Sequence, residues 1–302
     1  MSGLDNPKAM FMRERLNLSR MAASAGDPPR DEQLSAWLAS VPVPADLADV
    51  EAVHLAVSIT CTLRRLTWWA DGAPDLFLPA MAEYFERVDA VSAELDRLSE
   101  IGPRLRPERL GYWAMVAEGL FDAGWHFPSA LPLADACAFA PASPANDSVR
   151  AWAAAHKINR CTGLSQSIGQ GNRVTALQIP LPAGTLEQQT AAALQLYQTL
   201  RLPDPPDQAL GAMLNTQRAE LSLSVWLLAD GVARLGLLAP EPSIMTMLDI
   251  CQADPGFRHA DALATFSGLL AADRPLWVEC ADTPDGMEVE LHYRPSGDVP
   301  EN

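Results

Sequence analysis

Along the C-terminal half of the chain, apolar and polar residues alternate in short runs separated by turn sequences. In "AELSLSVWLL" (219–228), Leu221, Leu223, Val225 and Leu227 alternate with Glu220, Ser222, Ser224 and Trp226. In "MEVELHYR" (287–294), Met287, Val289, Leu291 and Tyr293 alternate with Glu288, Glu290 and His292. A period of two is that of a strand with one apolar and one polar face. "ADG" (229–231) joins the first run to "VARLGLLA" (232–239), and "TPDG" (283–286) joins "PLWVECAD" (275–282) to the second. Both turns sit between strand-like segments, which predicts two hairpins. A third hairpin is predicted from 158–168 through "GQGN" to 173–181. Its GxG precedes a strand rather than a helix, so it is not a dinucleotide fingerprint.

Helical stretches are predicted at 186–200, 207–215, 243–251 and 260–271, between those hairpins. Fainter copies of the same unit lie upstream. Residues 51–72 and 111–127 each read as a hairpin or as a buried helix, and helices are expected at 31–40, 75–99 and 146–156. The sum is an α+β chain of αββα repeats, ten antiparallel strands in five hairpins. Such a sheet has no free edge if it closes into a barrel. Helices outside would cover the apolar strand faces, and the polar faces would line the lumen. The whole chain, 1–302, is expected to form one domain, with 1–20 and 296–302 as peripheral tails.

Composition narrows the partners. A formal charge of −16 argues against nucleic acid or an anionic membrane surface. The first residues carry no apolar leader and no run is long enough to span a bilayer, so a cytoplasmic monomer is the expectation. Five scattered cysteines without a CxxC pair suggest a reducing compartment and no structural zinc. Only Lys8 and Lys157 are lysines among 22 basic residues.

Four strings, "AEGLFDAGWHFPSALPLAD" (117–135), "NRVTALQIPLPAGTLEQQ" (172–189), "LADGVARLGLLAPEP" (228–242) and "PDGMEVELHYRP" (284–295), are similar in length, turn position and order to segments of one family. The chain resembles the soluble aromatic prenyltransferases of bacterial secondary metabolism, whose αββα (ABBA) barrel encloses the active site. The resemblance covers roughly 20–296. It implies an isoprenyl diphosphate and a small aromatic acceptor bound in the lumen, and ionisation of the donor to an allylic cation. That chemistry needs positive charge on the diphosphate and aromatic walls around the cation.

On this resemblance, Arg65 and Arg234 match family arginines that grip diphosphate. The rest of the grip does not carry over. The family lysine in the strand ending "WHFP" falls on Asp122 or Ala123, other positions fall on Asn172, Ala176 and Gln178, and the last-strand lysine falls on Glu288. The aspartate of metal-dependent members falls on Leu63, so neither metal nor organic cofactor is expected. With two lysines and no tyrosine between 198 and 292, the usual lysine and tyrosine set cannot be rebuilt.

Glu288, Glu290 and His292 share one strand face and are read either as a solvated or self-satisfied face or as a catalytic acid–base group. Glu279 and Asp282 are expected nearby. Two carboxylates on one face of a poorly solvated lumen should leave one with a raised pKa, unless His292 or Arg234 compensates. Gln178, Ser222, Ser224 and Trp226 are the expected neutral and aromatic substrate contacts, with Thr162, Ser165 and Ser167 as further polar positions. Trp68, Trp69, Trp113, Trp125, Trp226 and Trp277 lie on predicted strands, most of them expected to face helices. His54 and Ser58 share a face without a visible acidic partner. Three functions remain open: prenyl transfer to an aromatic acceptor, a diphosphate-independent acid–base cyclase or isomerase on the same barrel, and a non-catalytic binder of a hydrophobic metabolite.

Overall fold

The computed structural model describes residues 53–62, 65–75, 77–79, 81, 104–117, 120–168, 173–214, 221–257 and 275–293. The predicted helices 31–40 and 260–271, most of 75–99, and both tails lie outside the described residues.

Ten strands close into an antiparallel barrel. They are β1 (Val53–Thr60), β2 (Arg65–Gly72), β3 (Leu110–Ala117), β4 (Leu120–Phe127), β7 (Gly163–Ser167), β8 (Thr175–Pro180), β9 (Ser222–Leu227), β10 (Val232–Pro240), β11 (Trp277–Thr283) and β12 (Gly286–Tyr293). Each hairpin pairs with the next in chain order, and β12 closes on β1 through Ser58 opposite His292 and Thr60 opposite Glu290. Both N-terminal segments that allowed a helix or a hairpin are hairpins. The third hairpin differs from its prediction. Arg160–Cys161 (β6) leaves the barrel to pair with Leu131–Pro132 (β5) in a separate two-stranded sheet, and the barrel strand starts at Gly163.

The strand phase is as the alternation predicts. In β8 the outward Leu177 and Ile179 are fully buried, whereas the inward Ala176, Gln178 and Pro180 keep partial exposure. The same contrast separates Val225 from Ser224 and Trp226, and Leu291 from His292. Outward side chains make up the hydrophobic core with the helices, each large one contributing about 1.5–3 kcal/mol by leaving water. Several inward side chains, Gln178, Ser224, Trp226 and His292 among them, keep partial exposure, whereas inward Arg234, Glu279 and Glu290 are buried.

Described helices sit on the outside. They are α1 (Leu133–Cys137), α2 (Pro144–Ala155), α3 (Leu186–Leu200), α4 (Asp207–Met213) and α5 (Ile244–Cys251). Helix α3 starts at a capping box in which the Thr185 hydroxyl accepts from the Gln188 N–H and the Gln188 side chain accepts from the Thr185 N–H. Its buried stripe of Ala192, Ala193, Leu196 and Tyr197 follows helical spacing, and the Tyr197 hydroxyl donates to the Leu235 carbonyl on β10 at 2.9 Å. Helix α2 is joined to α3 by Trp152, whose indole N–H donates to the Ala192 carbonyl at 2.9 Å. The β11–β12 turn depends on Gly286, whose φ of 111° lies in the region that side chains avoid.

Candidate functional site

Because residues opposite one another in antiparallel strands share a face, the register fixes which side chains enter the lumen. Glu279 lies opposite Glu290, Ala281 opposite Glu288, and Trp277 opposite His292. Arg234 lies opposite Trp226, Gly236 opposite Ser224, and Ser224 opposite Gln178. Arg65 opens β2, on the same face as Thr67 and Trp69.

Arg234 reaches the lumen through a bulge. Val232 pairs with Leu227, and strict alternation would then turn Arg234 outward; the register shift between Val232 and Arg234 turns it inward. Once inside, the guanidinium is almost wholly enclosed, with 2% of the side chain exposed. Its Nε donates to Glu279 Oε1 at 3.0 Å and its Nη2 to Glu290 Oε2 at 2.8 Å, while Nη1 donates to Glu288. Arg65 Nη2 donates to Glu290 Oε2 at 2.6 Å and also to Glu288. Both guanidinium carbons stand over the Trp226 ring, at 5.8 Å for Arg65 and 5.3 Å for Arg234, a favourable cation–π placement. His292 Nε2 lies 3.6 Å from Glu279 Oε2. Gly236 makes the arrangement fit, since a Cβ there would collide with the Glu279 carboxylate.

The electrostatics follow the exception that the sequence expectation allowed, compensation by Arg234 and His292. Burial alone would raise the Glu290 pKa, but Arg65 and Arg234, with His292, outweigh it and hold the carboxyl well below the usual range. Glu279 is likewise depressed: burial opposes ionisation, and Arg234 and His292 overcome it. Arginine compensation therefore removes the reason to expect Glu290 as a protonated acid. Asp282 is not part of the group. It pairs with Leu235 and Met287 on the outward face.

A pH dependence follows. For Glu279 and Glu290 the folded pKa lies below the unfolded one, so their stabilisation is complete above about pH 4–5 and is lost as pH falls towards the folded values. The melting temperature is expected to hold from neutral pH to about 5 and then to fall. Glu290→Gln, followed by calorimetry across pH, should make that fall shallower.

The other expected contacts divide cleanly. Gln178, Ser222, Ser224 and Trp226 all face the lumen. The Trp226 indole N–H donates to the Ser224 hydroxyl at 3.0 Å. None of the three neutral residues bonds to the charged cluster among the described contacts. Ser165 and Ser167 face inward, whereas Thr162 is exposed outside. The tryptophans reverse the expectation. Trp69, Trp113, Trp226 and Trp277 face the lumen, and only Trp68 and Trp125 pack outward. Trp69 is fixed by donating to the Ser58 hydroxyl at 2.8 Å, and Trp113 by donating to the Trp125 carbonyl at 3.2 Å.

Glu279, Glu290 and His292 bring donor atoms within 4.8 Å of one another. The same two carboxylates are held by Arg234, so a cation there would have to displace a guanidinium.

Asp71, Arg109 and His126 were not read as site residues from the sequence. Arg109 Nε donates to Asp71 Oδ1 at 2.6 Å, and His126 Nε2 lies 3.4 Å from Asp71 Oδ2. Their signal was the strand phase itself. Asp71 shares parity with Arg65 and Trp69 on β2, and His126 shares it with Asp122 on β4.

Solved structures with the same architecture are aromatic prenyltransferases. NotF in complex with brevianamide F and DMSPP aligns with a TM-score of 0.65 at 9% identity, over 98% of this chain and 96% of that one. AnaPT from Neosartorya fischeri aligns at 0.62 and 12% identity, over 97% and 94%. The 6-dimethylallyltryptophan synthase from Micromonospora olivasterospora, in complex with DMASPP and Trp, aligns at 0.55 and 12%, over 93% and 96%. No family model matches the chain. A PH domain-containing protein of Dictyostelium discoideum is 28% identical over 272 residues, 85% of this chain. The chain spans 59% of the length of that relative. No helix among the described residues is long and apolar enough to cross a membrane. The chain has the aromatic prenyltransferase barrel fold, at identities too low to carry an activity with it.

Proposed function

We propose that the protein is a small-molecule enzyme that takes a planar aromatic substrate in the barrel lumen and acts on it by acid–base chemistry, without a prenyl diphosphate. One observation carries this reading: both arginines that would grip a diphosphate are bound by Glu279, Glu288 and Glu290. Three carboxylates stand against two guanidinium groups, and a diphosphate would meet repulsion from the carboxylates there. In this reading Glu279 and Glu290 stay ionised and hold the arginines. Glu288 and His292, the members with 24% and 22% of their side chains exposed, meet the substrate and exchange protons with it. Trp69, Trp113 and Trp226 supply the flat walls, Gln178, Ser222 and Ser224 the neutral polar contacts. The chemistry calls for no metal or organic cofactor.

A second reading, prenyl transfer from an isoprenyl diphosphate to an aromatic acceptor, is favoured by the inward placement of Arg65 and Arg234 beside Trp226. The fold neighbours solved with DMASPP and Trp, or with DMSPP and brevianamide F, add to it. It requires the arginines to exchange glutamates for diphosphate.

Mass spectrometry of incubations with candidate aromatics, with and without dimethylallyl diphosphate, separates the two. A rearranged product of unchanged mass, formed without diphosphate and lost in Glu288→Gln, is the expected result. A product heavier by one C5H8 unit, formed only with diphosphate, would establish the second reading. Binding of aromatics without any turnover would leave a binding protein.

A further inference from the structure

We infer that Asp71 and His126 form a second proton-accepting centre in the lumen, taking the hydroxyl or ring N–H of an aromatic ligand at His126 Nδ1. It rests on the aromatic-lumen reading above and adds to it the kind of aromatic: one that carries an acidic hydrogen.

The centre is distinct from the arginine–glutamate cluster. Asp71 and Arg65 lie on the same face of β2, six residues apart, about 20 Å along a strand at roughly 3.3 Å per residue. Asp71 is opposite Gly111, and Gly111 is opposite His126, so both side chains enter the lumen from the two strands that flank β3. Burial alone would raise the Asp71 pKa, but His126 and Arg109 outweigh it and hold the carboxyl below its usual range. An ionised carboxylate only accepts hydrogen bonds, so the imidazole nitrogen facing it, Nε2, must carry the hydrogen. In the neutral ring that leaves Nδ1 as a lone-pair acceptor. His126 is 7% exposed, and Nδ1 has no hydrogen-bond partner among the described residues.

A buried acceptor left without a donor costs about 1–3 kcal/mol, a cost that a ligand donor would remove. The His126 ring stands edge-on to Trp69, with centroids 5.1 Å apart, and Trp69 stacks obliquely on Trp113 at 5.9 Å. An aromatic ring lying against these two indoles is therefore beside the imidazole. Nδ1 is covered in this structure, so the donor reaches it after a small rotation of the ring. In the proton-transfer step the substrate O–H or N–H bond breaks and its electron pair stays on the substrate. The proton goes to Nδ1, and Asp71 balances the imidazolium. His126 is the group that touches the substrate, and Asp71 is the positioning residue.

The test compares 2-naphthol with 2-methoxynaphthalene, which has similar shape but no donor, by calorimetry on the whole protein. The wild type is expected to prefer 2-naphthol about tenfold, the worth of one such hydrogen bond. His126→Phe keeps a ring against Trp69, and should erase the preference while binding 2-methoxynaphthalene as the wild type does. A preference absent from the wild type, or kept in His126→Phe, overturns the inference. A separate arm uses 15N-histidine NMR without ligand: the wild type should show the Nε2–H tautomer of His126, and Asp71→Asn a mixture. An Nδ1–H tautomer in the wild type overturns the inference by itself. Failure of the wild type to bind either naphthalene, with the Nε2–H tautomer present, contradicts the aromatic-lumen reading instead.

Discussion

Replacing Arg234 by methionine is expected to cost about 3–5 kcal/mol of folding stability, the range for removing one partner of a buried ion pair. Methionine fills much of the same volume, so the loss is electrostatic rather than a cavity effect. Arg234 is the only described residue that donates to Glu279, Glu288 and Glu290 together. Without it, Glu279 and Glu290, each 3% exposed, remain as opposed carboxylates on neighbouring strands. Arg65 reaches Glu288 and Glu290 but makes no described contact to Glu279. At neutral pH at least one carboxyl should then take up a proton, so the variant should regain stability on mild acidification, opposite to the wild type. Urea denaturation at two pH values measures both effects. An Arg234→Met protein as stable as the wild type would mean that the cluster is solvated and loosely held.

Local patterning made much of the barrel legible. The last two hairpins are marked by alternation and by a glycine turn, and their observed register puts Glu288, Glu290 and His292 on the face that the alternation assigns. Alternation says which face a residue takes, but not what covers that face. Outward Trp125 packs on Phe127 at 4.8 Å, while inward Trp113 is one strand away; the side chains alone do not distinguish them. The departure of Arg160–Cys161 from the third hairpin was hidden for another reason. Its partner, Leu131–Pro132, is a separate short segment with no periodicity of its own. The ion pairs were least legible. Arg65 meets Glu288 and Glu290 across 223 and 225 residues, contacts that only barrel closure between β12 and β1 creates. Unpaired, those glutamates read as a candidate acid and base; paired, they read as the occupants of an arginine site.

Changing Glu288 to lysine is expected to raise the affinity for dimethylallyl diphosphate by about tenfold to a hundredfold. The substitution removes a carboxylate that both Arg65 and Arg234 contact, and adds a cation beside them. A charge-assisted contact is worth about 1.5–3 kcal/mol; with 24% of the Glu288 side chain exposed, solvent reduces the gain from two such changes to the range given. Without ligand the variant should melt below the wild type, because three cations then crowd one end of the lumen. Diphosphate should restore part of that loss by binding the folded state. A thermal shift series with increasing diphosphate reads both consequences. Equal response of wild type and variant would place the diphosphate, if it binds, away from Glu288.

Calorimetric titration of the wild-type protein with dimethylallyl diphosphate at neutral pH tests whether the chain's own glutamates occupy the arginine pair in place of a prenyl donor. Millimolar affinity or weaker is expected, since binding must strip at least one carboxylate from Arg65 and Arg234. Micromolar binding would contradict it, and would return the barrel to prenyl transfer.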